Sequence, residues 1–246
     1  MRRIRALLLP FILLSCGKAP EPSETSTTQA AGGSKQKAET TPVPNTDPLV
    51  FNPQSAIRSP QSDQPRPEDF VELVSLDSTF VIDIRYATEN NFMKRRVYPV
   101  AKAYLRREAA EALVRVQGRL RPQGAGIKVW DAYRPLSVQK ILWSVVPDDR
   151  FVADPKKGSK HNRGAAVDVT LVDLKSGREM EMPTGYDDFT ERAQPDDDRC
   201  SPAAKKNRAL LQEAMTAEGF QIIDHEWWHF DYRTWKKFEI SDHPIQ

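Results

Sequence analysis

The chain has 246 residues with 36 basic and 34 acidic side chains, so its formal net charge is only +2. This balance creates no strong field for nucleic acid or anionic lipid, and no segment has the pattern of a groove-reading helix or a base-stacking surface. The sequence therefore predicts no nucleic-acid partner.

Residues 1–15 predict an export signal. Three arginines lie within residues 1–5, and residues 7–14 are almost wholly apolar but much shorter than the roughly 20 residues that span a bilayer. The stretch LLSC at 13–16 resembles the lipobox of bacterial lipoproteins, in which the cysteine is lipidated and becomes the first mature residue. A plain secretory signal is the alternative. We expect an exported protein that is held at a bacterial membrane, on its periplasmic or cell-surface side, only by lipid on Cys16.

Residues 16–66 are rich in Ser, Thr, Pro, Gln, Lys and Glu and have little to bury. Such a composition cannot offset its ordering entropy, so it predicts a disordered tether after the lipidated cysteine. Residues 67–246 are the right length for one folded domain.

Secondary structure within this domain follows from hydrophobic spacing and from the residues that begin and end helices. Alternating or continuously apolar residues predict strands at 80–86, 127–133, 165–172 and 227–232. Apolar residues at helical spacing predict helices from Leu105 to a stop at Pro122 and Gly124, from Pro135 to Pro147, and from Ser201 to Gly219. Because no regular βαβ repeat is present, the predicted fold is α+β, with an antiparallel sheet flanked by helices.

A first chemically distinctive segment reads SKHNRGAAVD at 159–168. His161 precedes the predicted strand at 165–172, and Asp168 lies inside it on the face opposite to Val167 and Val169. A carboxylate in the middle of a strand requires a partner, since an unpaired buried charge costs several kcal/mol. That partner is either a metal ion or an arginine, and for Asp168 taken alone an arginine is favoured.

The second segment is HEWWHFD at 225–231. Glu226 and His229 cannot share one face of a regular strand, but they converge if the chain turns through Trp227 and Trp228. Two tryptophans beside a histidine also fit plain core packing, which leaves this segment ambiguous by itself.

Taken together, the two segments favour a metal site. Two imidazoles and one carboxylate make a three-ligand zinc site with an open position for water. Glu226 is then a nearby acid that is not a ligand and can accept a proton from the water.

The motifs SKHNRGAAVD and EWWHF resemble those of the D-alanyl-D-alanine dipeptidase family, the zinc D,D-peptidases related to the vancomycin-resistance dipeptidases. The first motif is shared with sister D,D-carboxypeptidases and endopeptidases. The stretches IRYAT at 84–88, WDAYRP at 130–135 and VADP at 152–155 narrow the resemblance to dipeptidases. The likeness extends from about residue 80 to residue 238.

This resemblance implies a zinc D,D-peptidase-like fold and one Zn²⁺ per chain, bound by His161, Asp168 and His229. It implies that Glu226 acts as base and then as acid, and that Arg134 stabilises the developing oxyanion. Four further positions match residues of the substrate pocket. Ser159 is expected near the carboxylate of the dipeptide, and Asp187 near its ammonium group. Tyr86 and Asp131 are expected in or behind the pocket wall.

The residues alone leave two of these roles open. Arg134 is equally compatible with a surface ion pair to Asp131, and Asp187 is compatible with a solvated acid beside Asp188.

The expected function is zinc-dependent hydrolysis of the D-Ala-D-Ala dipeptide to two D-alanines in cell-wall peptide turnover. Turnover is favoured over a resistance role because an exported enzyme cannot reach a precursor made in the cytosol. One alternative is a D,D-carboxypeptidase or endopeptidase that trims peptidoglycan stems. The other is a non-catalytic envelope-binding lipoprotein, against which the presence of both Glu226 and Arg134 argues. The sequence does not predict an oligomeric state.

Overall fold

The computed structural model describes residues 69–246 of the protein. The predicted signal peptide at 1–15, the lipidation of Cys16 and the tether at 16–66 lie outside the described residues. Among the helices of residues 69–246, none is long and apolar enough to cross a membrane.

The described part of the chain is an α+β structure, as predicted. Its strands are β1 (Phe70–Glu72), β2 (Val81–Ile82), β3 (Tyr104–Arg106), β4 (Ala125–Asp131), β5 (Ala166–Asp173), β6 (Phe220–Ile222) and β7 (His229–Tyr232). Its α-helices are α1 (Leu73–Leu76), α2 (Arg107–Leu120), α3 (Leu136–Trp143) and α4 (Pro202–Ala217). Short 3₁₀ turns cover Arg85–Ala87, Arg121–Gln123, His161–Arg163, Glu191–Ala193 and Trp235–Lys237.

The main sheet has the strand order β2-β4-β5-β7-β6 and is antiparallel except between β2 and β4, which pair in parallel. The strands β1 and β3 form a separate antiparallel pair. β4 and β5 lie at the centre of the main sheet, and nearly all their residues are buried on both faces. This explains their continuous apolar sequence, since a strand covered on both faces has no solvent-facing side.

Helix α2 covers the sheet with a face of small and branched apolar residues, among them Ala109, Leu113 and Val116. Helix α4 begins where the sequence predicts it, because the Ser201 hydroxyl accepts a hydrogen bond from the Ala204 N–H at 3.0 Å and Pro202 opens the first turn.

The predicted strand at 80–86 is wrong beyond Ile82. The chain turns through a 3₁₀ helix at Arg85–Ala87, and the Tyr86 carbonyl accepts hydrogen bonds from the N–H groups of Val97 and Tyr98. The loop at Val97 and Tyr98 therefore occupies the Tyr86 carbonyl, which would otherwise pair with a neighbouring strand. The alternation of apolar residues reflects burial in this turn rather than strand pairing.

Other boundaries also differ from the prediction. Leu105 belongs to β3, so helix α2 begins only at Arg107. Helix α3 ends at Trp143, and Ile141 and Val145 are exposed rather than directed into the core. The predicted strand at 227–232 is shortened to β7, because residues 227 and 228 form a turn before it.

Candidate metal centre

The three predicted metal ligands converge. His161 lies on the 3₁₀ turn before β5, while Asp168 and His229 face each other as a register pair across β5 and β7. The His161 Nε2 is 3.1 Å from the His229 Nδ1 and 3.3 Å from the Asp168 Oδ1, and the Asp168 Oδ1 is 2.9 Å from the His229 Nδ1. All three side chains are buried.

A β-bulge in the neighbouring strand shapes this end of the sheet. Val129 pairs with Val169, but the next pair is Asp131 with Asp168, so two residues of β4 oppose one residue of β5. Such bulges bend a strand and redirect the chain that follows. Here that chain passes beside His161, whose Nδ1 lies 2.6 Å from the Ala132 carbonyl oxygen.

Both imidazoles are oriented by a partner on the nitrogen that faces away from the cluster. The carbonyl of Ala132 accepts from the Nδ1 of His161, which leaves its Nε2 for the cluster. The Oδ1 of Asp231 lies 2.9 Å from the Nε2 of His229, which leaves the Nδ1 of that ring for the cluster. Metal-binding histidines commonly have such partners, because the partner fixes the tautomer and the ring orientation.

The charge of the cluster fits a cation. Burial acts to raise the pKa of Asp168, but the two adjacent imidazoles hold it well below its ordinary value. Burial acts to lower the pKa of His229, yet its hydrogen bonds to Asp168 and Asp231 raise that pKa to about 10. A protonated His229 would direct its Nδ1–H at Asp168 and its Nε2–H at Asp231, and a divalent ion bound at Nδ1 would take the place of the first of these protons. Two nitrogens and one carboxylate oxygen within 4.8 Å of one another are a donor set that suits zinc.

Glu226 lies at the predicted turn before β7. The His229 N–H points to the Glu226 carbonyl at 3.4 Å, and the turn is anchored by the indole N–H of Trp227, which donates to the Thr184 hydroxyl at 2.9 Å. Trp227 and Trp228 are themselves buried, so their packing in the core stabilises the turn. Burial raises the pKa of Glu226 to about 8, although the positive charge of His229 opposes this.

Arg134 is buried rather than at the surface. Its Nε and one terminal nitrogen donate to the Asp131 Oδ2 at 2.9 and 2.7 Å, and the other terminal nitrogen donates to the Gln139 Oε1 at 2.9 Å. The guanidinium also approaches the Asp168 Oδ2 to 3.9 Å and lines the cavity. Arg134 therefore forms the ion pair with Asp131 and also lies in the wall of the cavity.

Asp131 lies behind the cavity wall, which is one of the two positions expected for it. It is fully buried behind Arg134 and is not part of the wall itself. Its oxygens accept hydrogen bonds from Arg134, from the Tyr98 hydroxyl at 2.8 Å and from the Ala132 N–H at 2.9 Å. Asp131 therefore holds the arginine in place from behind.

A cavity of about 390 Å³ opens over the three ligands. Its wall includes Glu226 and Arg134. It also includes three candidate substrate-binding residues, Ser159, Tyr86 and Asp187. The Ser159 hydroxyl accepts a hydrogen bond from the His161 N–H at 3.1 Å, which ties it to the ligand turn.

Asp187 is mostly buried and not a solvated acid. Its oxygens accept from the Tyr86 hydroxyl at 3.3 Å and from the Phe92 N–H at 3.1 Å, and its backbone φ is +59°. Burial raises the pKa of Asp187 to about 7. A partly buried carboxylate at a cavity wall is suited to a cationic group, whose positive charge would stabilise the ionised form.

Sequence reasoning missed Tyr186 as well as Asp231. The Tyr186 hydroxyl donates to the Asp168 Oδ2 at 2.9 Å, and its ring contacts those of Trp130 and Trp228. Asp231 stood two residues after a candidate ligand on a strand, a spacing that places both on one face, so this signal was present in the sequence.

The comparison with protein families agrees with this geometry. The model of a peptidase family described as D-Ala-D-Ala dipeptidase, M15, matches residues 66–239. The chain belongs to this family.

Several relatives within the D-Ala-D-Ala dipeptidase family are similar over most of their length. A D-alanyl-D-alanine dipeptidase of Escherichia coli K12 is 37% identical over 166 residues, which cover 66% of this chain and 86% of the relative. One from Streptomyces coelicolor is 32% identical over 182 residues, or 66% of this chain and 90% of the relative. The solved vancomycin-resistance D,D-dipeptidase VanXYg, in complex with a D-Ala-D-Ala phosphinate analogue, has 17% identity and a TM-score of 0.36 over 67% of this chain and 66% of that one.

Proposed function

We propose that this member of the D-Ala-D-Ala dipeptidase family is a zinc-dependent enzyme that hydrolyses D-Ala-D-Ala to two D-alanines. The observation that carries the proposal is the convergence of His161, Asp168 and His229 in a cavity that Glu226 and Arg134 also line. Relatives that are 30% or more identical to this chain over the aligned residues, and are named D-alanyl-D-alanine dipeptidases, support the choice of substrate.

The proposed chemistry divides into a metal contribution and a proton transfer. Zinc held by the three ligands supplies Lewis acidity to the substrate carbonyl and to the attacking water. Glu226 accepts a proton from that water and returns it to the leaving amine. Burial raises the pKa of Glu226 to about 8, and a bound dication would act in the opposite direction, toward the ionised form that can serve as a base.

Arg134 is placed to stabilise negative charge on the carbonyl oxygen in the transition state. Its guanidinium stays charged, since burial acts to lower its pKa but Asp131 and the surrounding tyrosines raise it well above the ordinary value. Its hydrogen bonds to Asp131 and Gln139 fix it before the substrate arrives. A preorganised donor of this kind is worth about 3–4 kcal/mol in the transition state.

Recognition of both ends of a dipeptide is proposed for the two remaining polar positions in the cavity. Asp187 pairs with the substrate ammonium, and the raised pKa of its partly buried carboxylate supports a cationic partner. Ser159, beside the ligand turn, lies on the carboxylate side. A pocket that reads both termini selects a free dipeptide over a longer stem peptide.

Two rival functions are tested by one panel. Purified zinc-loaded protein would be incubated with D-Ala-D-Ala, with a stem pentapeptide that ends in D-Ala-D-Ala, and with L,D- and L,L-dipeptides. Release of D-alanine from the D,D-dipeptide alone supports the proposal. Preferred cleavage of the pentapeptide would instead assign the chain as a carboxypeptidase, and zinc binding without any turnover would assign it as a binding protein.

The location of the enzyme is a further part of the proposal. The basic start, the short apolar run and the lipobox-like LLSC at 13–16 support export and a lipid anchor on Cys16. Membrane fractionation and the mass of the mature N-terminal peptide test this. A Cys16→Ser chain should lose the anchor, whereas wild-type protein recovered in the cytosol would contradict it.

An exported enzyme would meet D-Ala-D-Ala released by cell-wall turnover and not the precursor pool of the cytosol. Scavenging or recycling of the dipeptide is therefore the proposed role. Uptake of labelled D-alanine from external D-Ala-D-Ala, in cells with and without the protein, would measure it.

A further inference from the structure

The proposed zinc ligand His229 makes a second contact that the hydrolytic mechanism does not use. Its Nε2 lies 2.9 Å from the Oδ1 of Asp231, two residues further along β7, and Asp231 is only 5% exposed. The other carboxylate oxygen is 3.2 Å from the Lys160 Nζ. Asp231 therefore contacts His229 through one oxygen and Lys160 through the other.

These contacts join the two segments that carry the histidine ligands. Lys160 is adjacent in sequence to His161, and Asp231 lies on the same strand face as His229. The β5–β7 ladder already sets the distance between Asp168 and His229, but it does not include the turn that carries His161. The ion pair from Lys160 to Asp231 adds a second connection between the start of that turn and β7, beside the contact of the two imidazoles.

The two histidines have partners of different chemistry. His161 contacts a neutral carbonyl, that of Ala132, whereas His229 contacts a carboxylate. A carboxylate partner holds the proton on the Nε2 and increases the electron density that the Nδ1 offers to a metal. Without Asp231, the Nε2 of the buried His229 would lose its partner, and both the tautomer and the ring orientation would be free to change.

We propose that Asp231, held in place by Lys160, is a positioning residue that fixes the tautomer and orientation of His229 and thereby sets the affinity of the site for zinc. The inference rests on the proposed function, because it takes His229 to be a zinc ligand. It assigns no contact with substrate to Asp231, which lies outside the cavity wall.

The test compares the Zn²⁺ dissociation constants of purified wild-type protein and four variants, measured by competition with a chromogenic chelator. Asp231→Asn removes the carboxylate charge, Lys160→Met removes its ion pair, and the double variant removes both and leaves no unpaired charge. Lys236→Met is the matched control, because Lys236, like Lys160, lies against the Trp235 ring, at 5.5 and 5.4 Å.

We expect Asp231→Asn to weaken zinc binding by roughly 10- to 100-fold, as is typical when the partner of a ligating histidine is lost. Lys160→Met should stay within about fivefold of wild type, the range of a partly exposed ion pair, and Lys236→Met should bind zinc as wild type does. The visible absorption of Co²⁺-loaded Asp231→Asn should also differ from wild type, because a changed histidine ligand alters the metal spectrum, whereas Lys236→Met should reproduce the wild-type spectrum.

A zinc dissociation constant for Asp231→Asn within fivefold of wild type would overturn the inference. Thermal melting of the metal-free proteins separates ligand positioning from folding. If Asp231→Asn alone does not fold, the double variant decides, and zinc binding equal to that of Lys160→Met refutes the role of Asp231. Wild-type protein that binds no zinc would instead end the proposed function.

Discussion

The buried pair of Arg134 and Asp131 offers a test that separates folding from catalysis. Arg134→Met removes the cation from a carboxylate that is 0% exposed. Loss of one partner of a buried ion pair costs about 3–5 kcal/mol of unfolding free energy. Because Asp131 keeps hydrogen bonds from Tyr98 and Ala132, we expect the lower end of that range, about 3 kcal/mol. The same change removes the proposed oxyanion donor and should reduce kcat by about 10²–10³-fold.

Adding Asp131→Asn to this variant distinguishes the two effects. The new amide leaves no buried charge unpaired, so the double variant should regain part of the lost stability, to within about 1–2 kcal/mol of wild type. Its kcat should remain as low as that of Arg134→Met, because the donor is still absent. Urea unfolding of the zinc-loaded proteins and steady-state hydrolysis of D-Ala-D-Ala measure both quantities. Activity that recovers together with stability would show that Arg134 acts only through the fold.

Three further predictions concern the base, the ammonium site and the metal. Glu226→Gln should keep its zinc and its melting temperature while kcat falls by about 10²–10⁴-fold, the usual share of a general base, and turnover above a tenth of wild type would contradict that role. Burial raises the pKa of Asp187 to about 7. The side chain is therefore negatively charged above that pH and neutral below it. The KM for D-Ala-D-Ala should therefore rise about tenfold from pH 8 to pH 6. Asp187→Asn should have a high KM that does not change over this range, and a wild-type KM in that variant would refute the pairing. Chelation should abolish activity reversibly and lower the melting temperature, because zinc binds the folded chain preferentially, and an unchanged activity would rule out zinc dependence.

The ligand set could be predicted from sequence because chemistry restricts it. Asp168 in mid-strand needed a partner, and the turn through Trp227 and Trp228 was the only local way to bring Glu226 toward His229. The structure has both features. For Arg134 the residues alone left two roles open, an ion pair with Asp131 and a place in the active site. The structure shows that these roles do not exclude each other, because the same guanidinium pairs with Asp131 and lines the cavity.

Other features depend on contacts that no local pattern encodes. The segment 80–86 alternates like a strand, yet the Tyr86 carbonyl pairs with the loop at Val97 and Tyr98, so the strand ends at Ile82. The contact of Tyr186 with Asp168 spans 18 residues, most of them in the segment that follows β5, and has no sequence signal. Propensity and periodicity describe neighbours along the chain, whereas these contacts are decided by how distant segments pack.

The pairing of Asp168 with His229 across β5 and β7 has a consequence for how such an enzyme can diversify. The spacing of these two ligands is dictated by the ladder, and a slip of one residue would turn one of them to the opposite face. The chain between residues 174 and 225, in contrast, contributes no ligand, yet it supplies Asp187 and part of the cavity wall. Insertions and deletions in that segment could change which peptide enters the cavity, while the two strands and Glu226 keep the metal ligands and the base in place.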